Sequence, residues 1–173
     1  LSFRGLRLTL LLEILYATGI RVSELVSIKF GDINDDFSSI MIKGKGGEQR
    51  IVPIFGKVSE VLKKYIFSIC NQKHINHQQY LFPSKSKSGH LTRNRFFQIL
   101  KELALKINLD PQKVSPHVIR HSFASHLLGR GVDLRIIQES LGHKDISTTQ
   151  IYTHIQSDRL RKVLEKKNSV DEE

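Results

Sequence analysis

Apolar residues recur at helical spacing over most of the chain, with one clear interruption. Leu8, Leu11, Leu12 and Leu15 follow the i, i+3, i+4, i+7 pattern and predict a helix from about Gly5 to Ala17, ended by Thr18-Gly19. A short second helix follows, with Val22, Leu25 and Val26 turned inward. From Ser38 the period changes. Ile40-Met41-Ile42 and Ile51-Val52-Pro53-Ile54 flank Gly44-Lys45-Gly46-Gly47, which reads as a β-hairpin with a glycine-rich tip. Helical spacing then returns in Val58, Val61, Leu62, Tyr65 and Ile69, and again from Thr92 to Ile107 in Phe96, Leu100, Leu103 and Ile107. Between these two helices, Asn71 to Gln79 is polar and turn-like, Leu81-Phe82-Pro83 is extended, and Ser84 to Gly89 is a basic loop.

The stretch from Val114 to Ile155 predicts three helices in succession. Ser115-Pro116 is a helix start, because serine can cap free N–H groups and proline at the first helical position has none to lose. Ile119, Phe123 and Leu127 give that helix an apolar stripe, and Gly129 and Gly131 break it. Asp133 is placed to cap the next helix, with Val132 and Ile137 as a hydrophobic staple and Gly142 as its stop. Ser147-Thr148-Thr149-Gln150 has capping-box form and would open a short third helix containing Tyr152. Leu160 and Leu164 then mark a basic helix with a narrow apolar face.

Composition adds a partner to this picture. At 173 residues the chain can bury a single substantial core. Lys and Arg number 27 against 17 Asp and Glu, a net charge of +10, which on one domain predicts a polyanionic partner, nucleic acid foremost. A solvated basic surface is the plainer alternative. The lone Cys70 excludes an internal disulfide and fits a reducing, cytoplasmic setting. No apolar run approaches the ~18 residues of a membrane span, so no membrane partner is expected.

The candidate chemistry gathers around the capped helix. His117 falls in its first turn and Arg120 three residues later, so both project from one face beside an N-terminus that already favours an anion. Such a face suits a phosphate. Arg21 and Glu24 are likewise three apart, and the carboxylate can hold the guanidinium in place, although an ordinary surface ion pair has the same spacing. Lys45 sits at the hairpin tip, where flanking glycines allow close approach to another surface. Lys43, Arg93 and Arg95, with Asn94 and Lys101, are candidate phosphate contacts. His143 follows a helix exit and Tyr152 lies shortly beyond it. Taken singly, each has a plainer reading: a helix-end histidine for His143, a packed tyrosine for Tyr152. His117 and His121 lack the H-E-x-x-H pattern, and His74 and His77 have no cysteine or carboxylate cluster nearby, so no metal site is expected.

In this order, Arg21, Lys45, His117, Arg120, His143 and Tyr152 resemble the active-site set of the tyrosine recombinases, the phage-integrase family. The segments LYATGIRVSELVSIKFGDI, IKGKGGEQRIVPI and SPHVIRHSFASHLLGRGVDLRIIQESLGHKDISTTQIYTHI are most similar to the bacterial Xer recombinases. The resemblance implies a mainly α domain with a small antiparallel β-sheet, the C-terminal catalytic domain over residues 1–173, with the family's N-terminal core-binding domain outside this chain. It implies that Tyr152 attacks a DNA phosphodiester, that Lys45 protonates the leaving oxygen, and that no cofactor, ATP or metal is required. It further implies double-stranded DNA as substrate and a second recombinase subunit or paralogue in a tetrameric synapse, with residues 157–173 a candidate subunit contact. Chromosome or plasmid dimer resolution and mobile-element integration are the expected contexts. A noncatalytic DNA-binding module on the same fold and a type IB topoisomerase-like strand passage are the alternatives.

Overall fold

The computed structural model describes residues 2–70, 76–133 and 137 of the chain, and at Lys45 the backbone only. Helix α1 (Phe3–Thr18) is capped by Ser2, whose side chain accepts from the Gly5 N–H at 3.2 Å. It ends on Gly19 in the left-handed conformation (φ 61°), whose N–H bonds the Leu15 carbonyl at 2.9 Å. The buried face of α1 is Leu10, Leu11, Ile14 and Leu15, while Leu8 and Leu12 are only half-buried. The stripe is therefore rotated from the one predicted by leucine spacing alone. Leu10 and Ile14 are the members that the leucine spacing leaves out, and Glu13, which interrupts the apolar run, is paired with Lys57 at 2.7 Å.

Helix α2 (Val22–Val26) buries Glu24, Leu25 and Val26. Strands β1 (Ser39–Lys43) and β2 (Gln49–Pro53) pair antiparallel, Ser39 opposite Pro53 and Lys43 opposite Gln49. This hairpin is the one sheet among the described residues. Its inward positions are Ile40 and Ile42 on β1, with their partners Val52 and Arg50 on β2. Helix α3 (Lys57–Cys70) buries Val58, Val61, Leu62 and Tyr65. The Tyr65 hydroxyl donates to the Leu81 carbonyl at 2.9 Å, and burial pushes its pKa up to about 12 against the pull of the Arg7 charge.

Helix α4 (Arg93–Lys106) starts on Thr92, whose hydroxyl accepts from the Arg95 N–H at 3.2 Å. Its core face is Phe96, Leu100 and Ala104, at strict four-residue spacing. Leu103 is half-buried and Ile107, the C-cap, is 57% exposed, so the predicted stripe runs true only to Leu100. Helix α5 (Pro116–Gly129) begins as expected, with the Ser115 hydroxyl accepting from the Val118 N–H at 3.2 Å and proline at the first position. Phe123 and Leu127 pack with Ile137, Ala124 and Val132 in a small cluster, while Ile119 joins the main core. The Val132 and Ile137 staple thus forms. The predicted helix around it is otherwise outside the described residues, as is everything from Leu141 onward, including His143, Tyr152 and residues 157–173. None of the described helices is long and apolar enough to cross a membrane.

The main core joins α1, α2, the hairpin, α3, α4 and the Leu81–Phe82 segment, so the hairpin is fastened to helices along its inward face. Helix α5 lies against α1, where the Tyr16 hydroxyl and His126 Nδ1 are hydrogen-bonded at 2.8 Å.

Candidate active site

Two arginines from separate elements grip one carboxylate, and a third shares its electrostatic field. Gly19 turns the chain out of α1, Ile20 is fully buried, and Arg21 becomes the extended residue that caps α2 (φ −70°, ψ 149°). Glu24 lies one turn along, its side chain only 4% exposed. Its Oε2 accepts the Arg21 backbone N–H at 2.7 Å and Arg50 Nη2 at 2.9 Å. Its Oε1 accepts Arg50 Nη1 at 2.9 Å and Arg21 Nη1 at 3.3 Å. Burial alone would raise the Glu24 pKa. The hydrogen bonds from Arg50 and from the Arg21 backbone, with both guanidinium charges, outweigh it and hold the group below the usual carboxylate range.

Arg120, half-buried on α5, belongs to the same field. Burial, and then the nearby Arg21 and Arg50 cations, push its pKa down to about 10, with Glu24 pulling the other way. It remains a cation at neutral pH. Three guanidinium charges share the one buried carboxylate among the described residues, a cationic setting that suits an anion. His117 stands exposed in the first turn of α5, one turn before Arg120, as its spacing required.

A cleft lined by Arg21, Ser23, Glu24, Lys43, Gly44, Glu48 and Arg50 opens beside this cluster, under the hairpin. Lys45 begins the single 3-10 turn, Lys45–Gly47, that forms the tip. Gly46 and Gly47 both take φ +83°, which an L side chain rarely adopts. A Cβ on Gly44 would lie 3.7 Å from Glu24 Oε1, so the residue before Lys45 lies beside the carboxylate, within reach of a side chain built there.

Of the predicted DNA contacts, Lys43 lines the cleft and pairs with Asp32 at 2.6 Å. Arg93 is exposed at the start of α4, and Arg95 pairs with Glu102 at 2.8 Å; neither lines the cleft. The sequence reading passed over Arg50. A signal was present, since Arg50 and Val52 are the inward positions of a strand with period 2, and a charge facing inward demands a buried counter-charge.

Residues 3–159 match the phage integrase family. The chain belongs to that family. It is 47% identical over 173 residues to Tyrosine recombinase XerD of Rickettsia bellii (strain RML369-C), covering 95% of this chain and 57% of that protein. It is 48% identical over 154 residues to Tyrosine recombinase XerC of Erythrobacter litoralis (strain HTCC2594), covering 89% of this chain and 48% of that protein. Among solved structures, XerA recombinase superposes with a TM-score of 0.71 at 32% identity, over 94% of this chain and 58% of that one. XerH recombinase bound to its difH substrate in a pre-cleavage complex gives 0.70 at 30% identity, over 100% of this chain and 49% of that one. The fold is thus that of the tyrosine recombinase catalytic domains, and this member of the phage integrase family spans about half the length of the relatives it matches.

Proposed function

We propose that this chain is the catalytic domain of a Xer-like site-specific recombinase that cuts and rejoins double-stranded DNA through Tyr152. The observation that carries the proposal is the pairing of Arg21 and Arg50 on Glu24 beside the hairpin neck, with Arg120 in the same electrostatic field, a preorganised cationic seat for a phosphodiester. The XerH complex with its difH duplex supports DNA as the anion that fills it. Arg21 and Arg120 hold the nonbridging oxygens as negative charge grows on them, and His143 adds a donor. The Tyr152 oxygen attacks phosphorus and its proton passes to His117. The bond to the 5′-oxygen breaks, and that oxygen takes a proton from the Lys45 ammonium. The product is a 3′-phosphotyrosyl link and a free 5′-hydroxyl strand. Because the phosphoester is conserved, a second 5′-hydroxyl can reverse the step on a new partner strand without ATP or metal.

Lys43, Arg93 and Arg95 serve as DNA phosphate contacts in this reading, and Glu24 supports Arg21. The working assembly is a tetrameric synapse with a second subunit or paralogue, residues 157–173 forming a contact between subunits. The setting is cytoplasmic, in dimer resolution of chromosomes or plasmids or in integration of a mobile element.

The other tyrosines that the structure describes are engaged elsewhere: Tyr16 on His126, Tyr65 on the Leu81 carbonyl, Tyr80 against His90 and Lys29. Trapping on a nicked suicide duplex, resolved on a denaturing gel, tests the nucleophile. The intact chain gives a covalently shifted band and Tyr152→Phe gives none while still binding DNA; a band from Tyr152→Phe refutes the assignment.

A further inference from the structure

We propose that Arg50 is a positioning residue for the leaving-group step: its two-pronged bond to Glu24 fixes the hairpin that carries Lys45 against the element that carries Arg21. This rests on the reading of Lys45 as the proton donor given above.

One carboxylate ties two stretches of chain and lies beside a third. Glu24 belongs to α2, both Arg50 terminal nitrogens reach it at 2.9 Å from β2, and a Cβ built on Gly44, the residue after β1, would come within 3.7 Å of its Oε1. Arg50 stands opposite Ile42 in the ladder, and the Gly44 N–H closes the neck on the Glu48 carbonyl at 2.7 Å. The fork therefore grips the hairpin immediately before its tip. Past that point a Cβ on Gly46 or Gly47 would meet nothing within 4 Å among the described residues, so these glycines place no contact on the tip and its direction is set from the neck.

The two arginines on Glu24 are not equivalent. The Arg21 side chain is 45% exposed and spends one terminal nitrogen on the carboxylate at 3.3 Å. Arg50 is 15% exposed and spends both, with its Nε buried and without a hydrogen-bond partner among the described residues. Arg50 is committed to the carboxylate through both terminal nitrogens, and its contact is the shorter and more deeply buried of the two. Only a planar fork can make the paired contact that fixes orientation as well as charge, so lysine at position 50 keeps the attraction and loses the aim.

The experiment separates aim from clamping by changing the leaving group. A suicide duplex carrying a site selected from a random duplex pool is made in two forms, one ordinary and one with sulfur replacing the bridging 5′-oxygen at the scissile phosphate. In the sulfur form the P–S bond breaks and the 5′-thiolate departs without a proton. Attachment rates are measured for the full chain, for Arg50→Lys and for Lys45→Ala, which sets the scale for a missing donor. Arg50→Lys is expected to slow attachment to the ordinary duplex at least about tenfold, as misplacement of a catalytic group does. On the sulfur duplex it is expected to fall within about threefold of the unsubstituted chain. Arg50→Gln, which can still donate to Glu24, is read the same way should Arg50→Lys fold poorly. Equal losses on both duplexes, or no loss on either, overturn the positioning role. Failure of the sulfur duplex to rescue Lys45→Ala overturns Lys45 as donor, and no attachment by the unsubstituted chain to either duplex overturns the underlying reading.

Discussion

Glu24 shows how one residue can set both the stability and the readiness of a cationic site. Its pKa is lowered on folding from an ordinary value of 4.5, so its contribution is fully present above that pH and is lost as pH falls through the lower folded value. Thermal melts between pH 7 and pH 3 should show this loss for the native chain. Glu24→Gln is expected to lower stability at neutral pH by about 3 kcal/mol, because Arg50 keeps its buried charge and loses its partner, and to flatten the acid limb of the profile. An unchanged acid limb would mean that other carboxylates dominate it. The spacing of Arg21 and Glu24 made their contact legible in the sequence. Their depth was not legible, because burial comes from the hairpin folding over α2, and Arg50 contributes to it from 26 residues away.

At the scale of elements, turn chemistry was read more reliably than the facing of helices. Ser115-Pro116, Gly19 and the Gly44–Gly47 tip act locally and appear where their chemistry requires. Which side of α4 faces the core depends on neighbours distant in sequence, and there the apolar spacing misled: Ala104 is buried, whereas Leu105 and Ile107 are 64% and 57% exposed. Chemical denaturation distinguishes the two faces. Leu100→Ala is expected to cost about 2–5 kcal/mol. Ile107→Ala should stay within about 0.5 kcal/mol of the native chain. A large loss at Ile107 would return it to the core. The candidate site divides in the same way: Arg21, Glu24, His117 and Arg120 fall into place by helix spacing, whereas Lys45 depends on the hairpin, whose anchoring a linear reading does not reveal.

For the whole molecule, the proposed function together with a net charge of +10 on 173 residues would make association with DNA largely a matter of counterion release. The logarithm of affinity is expected to fall linearly with the logarithm of salt concentration, at roughly −0.9 per phosphate neutralised. Titration of a labelled duplex at several salt concentrations measures it, and a flat response would sink the DNA-binding assignment. The site itself is divided between two packed helices: Arg21 emerges where α1 ends, Arg120 rides on α5, and Tyr16 with His126 ties the two together. Their spacing is therefore a gauge. A slip of α5 by one helical turn along α1 would carry Arg120 about 5.4 Å from its station, too far to share one phosphate with Arg21. On the proposed function, a seated phosphodiester would do for the helices what a pin does for two sliding rules, admitting one register and rejecting the rest.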